Sequence, residues 1–73
     1  MIKIIRKTLS SSRVKSAGYD PISNILEIEF QSNGTIYHYY NVPENEAKNF
    51  FSASSHGKYV EKLTRNYRDK PVN

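Results

Sequence analysis

The residues of this chain best suited to chemistry crowd into "NGTIYHYYNVP", where three tyrosines and one histidine fill the four positions Tyr37 to Tyr40. Such a cluster suits a platform for stacked bases, an acid–base pair or a packed core. His38 and His56 are the only histidines. A histidine across a strand pair from a glutamate can act as an oriented base, and Glu27 and Glu29 alternate along "ILEIEF" so that both reach one face. An exposed cross-strand His–Glu pair is more often a surface feature. No serine lies on a recognisable nucleophile elbow, so no catalytic residue is assigned and the chain is expected not to be an enzyme. Two histidines eighteen residues apart match no zinc spacing, and without cysteine there is no thiolate ligand and no disulfide. Neither metal nor cofactor is expected.

Anion binding has better candidates. In "SSHGK", Ser55, Gly57 and Lys58 open a helix, where free N–H groups and the helix dipole favour a negative group. The plainer reading is a tight helix–helix turn with a serine cap and a glycine for clearance. Beyond it Lys58, Lys62 and Arg65 recur at i, i+4, i+7 and form a basic stripe, extended by Arg68 and Lys70. A solvated helix face has the same pattern, and Glu61 with Arg65 makes an i, i+4 pair. The net charge of +4 is uneven: residues 1–18 carry five cations and no acid, and residues 19–46 carry five acids and no Lys or Arg. Basic ends suit an anionic partner, and neutralisation across the fold explains them as well.

These residues need a scaffold. Seventy-three residues make one domain, and a chain of this size buries only about 60% of its unfolded surface. Apolar runs are far shorter than a membrane helix needs, and "MIKIIRK" lacks a signal-peptide core. A cytoplasmic protein without membrane contact is expected. "RVKSAGY" predicts a first strand and "YDPISN" a turn. "ILEIEF" alternates and predicts a second strand, "NG" a hairpin, and "TIYHYY" a third strand. Pro43 ends the sheet and opens a first helix, whose face is Ala47, Phe50, Phe51 and Ser54. A second helix, "GKYVEKLTRNY", buries Tyr59, Val60, Leu63 and Tyr67, with Ser55 as its cap. Residues 68–73 are expected to fray, and "IKII" offers an edge strand.

Register decides where the tyrosines point. A two-residue Asn33-Gly34 turn sets Phe30 opposite Tyr37, Glu29 opposite His38 and Ile28 opposite Tyr39. Tyr37 and Tyr39 then share the helix-covered face with Phe30 and Ile28, and Phe50 and Leu63 complete the core. His38 and Tyr40 lie on the open face with Glu27 and Glu29, acids that would repel a phosphate. For the first hairpin, a three-residue loop Pro21–Ser23 sets Lys15 opposite Glu29 and Val14 opposite Phe30.

"SSSRVKSAGYDP", "YHYYNVP" and "SSHGKY" together resemble the KTSC domain family, over roughly residues 10–68. That family is named from the C-terminal extension of some lysyl-tRNA synthetases and also occurs as small stand-alone bacterial and phage proteins. Its Tyr-x-Tyr motif matches Tyr37-His38-Tyr39, its Gly-Tyr-Asp matches Gly18-Tyr19-Asp20, its Val-Pro matches Val42-Pro43 and its Ser-x-Gly matches Ser55-His56-Gly57. The end of the family pattern is usually richer in arginine than "LTRNYRDK". The resemblance implies a compact meander plus helices and brings no activity; RNA binding has been inferred from the synthetase context.

The expectation is an α+β domain: a three-stranded antiparallel meander with two C-terminal helices on one face. Its expected role is a binding module for RNA or another phosphate-bearing nucleic acid, using Ser55, Gly57, Lys58, Lys62, Arg65 and Arg68, with Tyr40 and His38 as additional contacts. One alternative is a homo-oligomer that captures a small nucleotide between subunits. Another is a protein–protein adaptor.

Overall fold

The structure, a computed structural model, describes residues 4–73. Five antiparallel strands form one sheet in sequential order: β1 (Lys7–Thr8), β2 (Val14–Asp20), β3 (Ile25–Phe30), β4 (Ile36–Tyr39) and β5 (Asp69–Pro71). Two helices, α1 (Glu44–Phe51) and α2 (His56–Asn66), stand between β4 and β5 in the chain. The α+β class and the helix pair are as expected, but the sheet has five strands instead of three.

Both added strands are short edges. β1 covers two residues and β5 three, Lys7–Thr8 and Asp69–Pro71, and neither offers an apolar alternation to read. The "IKII" edge strand falls partly outside the described residues, and Ile4 and Ile5 carry no strand; the edge forms two residues later, at Lys7. The expected frayed tail is instead β5. Asn73 fastens it: its Oδ1 accepts from Ile36 N–H at 2.8 Å and its amide donates to Gly34 O at 3.1 Å.

One face of the sheet is sealed by the helices, as an antiparallel sheet with one wet side requires. Val14, Ala17, Leu26, Ile28 and Tyr39 from the strands meet Ala47, Phe50, Val60 and Leu63 from the helices, all at most 5% exposed. Tyr39 is buried, and its hydroxyl lies 3.1 Å from Thr64 Oγ1. Tyr37 is half-buried, edge-on to Phe30 at 5.6 Å. The odd-numbered tyrosines therefore do belong to the core side.

Both hairpin registers differ from expectation. β3 and β4 pair Leu26 with Tyr39, Glu27 with His38 and Ile28 with Tyr37. The turn is wider than Asn33-Gly34: Phe30 N–H donates to Thr35 O, Gly34 N–H donates to Phe30 O, and Gly34 takes φ +69°. The pairing slides by two positions, which preserves the faces because side chains alternate with period two. In the first hairpin Val14 does face Phe30, but a bulge at Lys15 puts Ser16 opposite Glu29. The loop is closed by Asn24, whose left-handed φ of 59° suits asparagine.

Helix α1 begins just after Pro43, whose carbonyl accepts from Glu46 and Ala47 N–H. It ends at Phe51, so Ser54 lies beyond it and not on its apolar face. Helix α2 is capped by Ser55, whose Oγ accepts from Lys58 N–H at 3.4 Å. Among the described residues no helix is long and apolar enough to cross a membrane.

Candidate functional site

The basic stripe on α2 is partly spoken for. Lys62 Nζ lies 3.4 Å from Glu46 Oε2 and 5.0 Å from the Tyr59 ring centre. Glu46 also accepts from the hydroxyls of Tyr59 and Tyr67. The Tyr59 hydroxyl, with Lys62 adding to it, holds the Glu46 carboxyl below its usual value, and the Glu46 charge in turn raises Lys62. This cluster ties α1 to α2. Lys58 and Arg65 remain exposed on either side of a neutralised cation.

The Ser-x-Gly turn is also engaged. Arg13 Nη1 donates to Gly57 O at 3.0 Å and pairs with Glu61 at 3.0 Å. A Cβ on Gly57 would come within 3.1 Å of Arg13 Cδ, so the glycine clears space for an arginine side chain. Glu61, expected to pair with Arg65, is bonded to Arg13 instead. The small recess of about 210 Å³ beside the turn is walled by Ser10–Ser12 and Ser54–Gly57. Its lining contains no lysine or arginine.

Arg68 does not extend the helix stripe. The backbone leaves helical geometry at Tyr67, with φ −130° and ψ 150°, and enters β5. Arg68 O accepts from Tyr40 N–H at 2.9 Å, and Lys70 stands opposite His38. Arg68 and Lys70 are thereby carried from the helix end to the edge of the sheet.

There they meet the open face. Gly18, Glu27, His38 and Lys70 form one row across four strands. His38 Nε2 lies 2.7 Å from Glu27 Oε1, Arg6 Nη1 lies 3.1 Å from Glu27 Oε2, and Arg6 Nη2 lies 3.9 Å from Glu29 Oε1. Ser16 Oγ–H donates to the same Glu29 oxygen at 2.8 Å. The acids are therefore not bare: the Glu27 side chain is 14% exposed and that of Glu29 19%. Residues 4–6 lie beside them, and Gly18 makes room for Ile4 and Ile5, since a Cβ there would collide with Ile5 O and meet Ile4 Cγ2 at 2.8 Å. The repulsion expected of Glu27 and Glu29 is offset by Arg6 at the acids themselves.

Beside this row is a recess of about 580 Å³ lined by Tyr40, Asn41, Arg68, Asp69 and Lys70. Tyr40 is half-buried and packs edge-on to His38, with centroids 6.2 Å apart. Among the described residues no carboxylate pairs with Arg68 or Lys70. Asp69 is registered opposite Tyr39 on the helix-covered face. Burial, joined by the charge of Asp69, raises the Tyr39 hydroxyl pKa. The two cations thus share a recess with an aromatic ring; Asp69 between them also contributes to its lining and forms no ion pair with either among the described residues.

The structure therefore splits the expected set. Ser55, Gly57 and Lys58 stay at the start of α2; Lys62 and Arg65 stay along it; Arg68 joins Tyr40 and His38 on the sheet. Asn41 and Lys70 complete that second group, which lies apart from the helix stripe expected from the sequence. One signal was available: "RDKP" alternates basic, acidic, basic with period two, and ends in a proline that suits an edge strand. Among the described residues no group of three or more His, Asp or Glu side chains is arranged to hold a metal ion.

Comparison with known proteins gives one consistent result. The family model described as KTSC domain matches residues 10–67. The chain is 40% identical over 58 residues to an uncharacterized protein of Stutzerimonas stutzeri, covering 80% of each. It is 35% identical over 57 residues to a protein of Tsukamurella paurometabola, covering 78% of this chain and 84% of that one. The crystal structure of a KTSC domain protein from Yersinia pestis superposes with a TM-score of 0.88 at 36% identity, covering 97% of this chain and all of the other.

Proposed function

The chain belongs to the KTSC domain family, and we propose that it is a non-catalytic binding module for RNA or another phosphate-bearing nucleic acid. The binding surface is the sheet edge around Tyr40, Arg68 and Lys70, with Lys58 and Arg65 on α2 as weaker outlying charges. One observation carries this reading: two cations without acidic partners among the described residues line the same recess as a tyrosine ring. Phosphate contacts by Lys and Arg supply most of the affinity of such modules, and aromatic faces supply sequence-tolerant stacking. A catalytic reading has less support, because His38, the one histidine near the recess, is bonded to Glu27, which also binds Arg6.

The test is fluorescence anisotropy with a labelled oligoribonucleotide at low salt. Arg68→Glu with Lys70→Glu should weaken binding by about tenfold or more and lower the salt slope by about 1.4, the value for two lost phosphate contacts on a single strand. Lys58→Glu with Arg65→Glu should have a smaller effect. Absence of affinity in the wild-type protein would sink the function, and an unchanged double mutant at the sheet edge would sink the surface.

A further inference from the structure

We propose that the Tyr40 recess takes an unpaired nucleotide of a single strand and discriminates against duplex; this rests on the nucleic-acid reading above. Three features of the recess fit a lone base with its flanking phosphates. First, among the described residues the one aromatic ring lining the recess is Tyr40, and the neighbouring His38 ring stands nearly perpendicular to it, at 77°. Perpendicular rings do not form a continuous platform, so Tyr40 supplies one stacking face. A base can use it only when its own face is free, which a base inside a duplex does not offer.

Second, the cations are placed for a strand that passes along the sheet edge. Arg68 and Lys70 are two residues apart, about 6.7 Å along an extended backbone. Arg68 joins Tyr40 through the backbone and Lys70 faces His38. A base over β4 therefore has its phosphates over β5. Duplex RNA is read differently, by surfaces that span about 16 base pairs and two minor grooves. This protein is 28 Å in its longest dimension, and its outlying cations Lys58 and Arg65 lie on α2, beyond the opposite face of the sheet.

Third, the recess has a polar rim that suits an exposed base edge. Asn41 takes a left-handed φ of 60°, where asparagine is tolerated, and its amide has no hydrogen-bond partner among the described residues. An amide carries both a donor and an acceptor, which match the edge of an unpaired base. The volume of about 580 Å³ leaves room for a nucleotide beside these groups.

The experiment compares one labelled oligoribonucleotide alone and annealed to its complement, at the same salt, against the full chain. The single strand should bind at least about fivefold more tightly, in line with stacking worth about 1–3 kcal/mol per base. Tyr40→Phe should keep that preference, and Tyr40→Leu should reduce single-strand affinity by about 5- to 150-fold while duplex affinity stays level. If Tyr40→Leu does not fold, a 2-aminopurine base in the single strand reports stacking on the wild-type protein through quenching on binding. Equal binding of strand and duplex, or binding without quenching, overturns this inference. If both probes then weaken equally with Arg68→Glu and Lys70→Glu, the charge-based function survives the loss. No binding of either probe overturns both.

Discussion

The two faces of the sheet are built from the same strands and do different work. On the covered face Leu26, Ile28 and Tyr39 are sealed under Phe50 and Leu63. On the other face Glu27, His38 and Arg6 form a network of close polar contacts, and Tyr40, Arg68 and Lys70 open a recess. The covered face has one physical requirement, apolar volume, and any polar atom there must find a partner. The open face meets water at its edge and can hold charge at low cost. A small domain of this kind can therefore hold its fold on one side and change its binding chemistry on the other.

The sharpest way to break the comparison is to remove apolar volume from the covered side. Phe50→Ala should cost about 3–5 kcal/mol, read from the denaturant midpoint, because Phe50 is fully buried among both helices and the sheet. A next test reaches the open side through its packing. Gly18→Ala should cost about 1–3 kcal/mol, since the new methyl collides with Ile5 O and must push Ile4 and Ile5 away. The same substitution should loosen Arg6 from Glu27, visible at fixed pH as a change in the Arg6 side-chain resonances by NMR.

Smaller effects sharpen the contrast. Glu46→Gln should cost about 1 kcal/mol at pH 7 through the lost charge-assisted bonds to Tyr59, Tyr67 and Lys62. Its pH dependence follows from the depressed carboxyl. That stabilisation is complete above the ordinary value of 4.5 and is lost as pH falls through the lower folded value, so wild type and variant should converge in acid melts. A flat difference between pH 7 and pH 3 would contradict this. Least affected is Arg65→Ala: an exposed side chain without an ion-pair partner among the described residues should change stability by no more than about 0.5 kcal/mol.

Much of the covered face was legible because it has period. Alternation in "ILEIEF" and "TIYHYY" put Ile28 and Tyr39 inward, and this survived a wrong register because a slide of two residues keeps every side chain on its face. The helix pair was legible from Pro43, the Ser55 cap and the apolar spacing through Leu63. β1 and β5 were not, because strands of two and three residues form only when a longer neighbour offers its edge. The candidate site suffered most. Arg68 and Lys70 continue the spacing of a helix stripe, and the one local mark of β5, the alternation of "RDKP", is too short to decide between strand and frayed tail.

The sequence by itself determined the α+β class, the inward aromatics and the serine cap of the second helix, because each follows from interactions between residues near in the chain. Only the tertiary structure decided which charges stay free. Lys62 is paired by Glu46, Arg13 by Glu61 and Glu27 by Arg6, partners 16, 48 and 21 positions away. Ion pairing depends on distance in space, and that distance is fixed only when the sheet and helices have closed on one another.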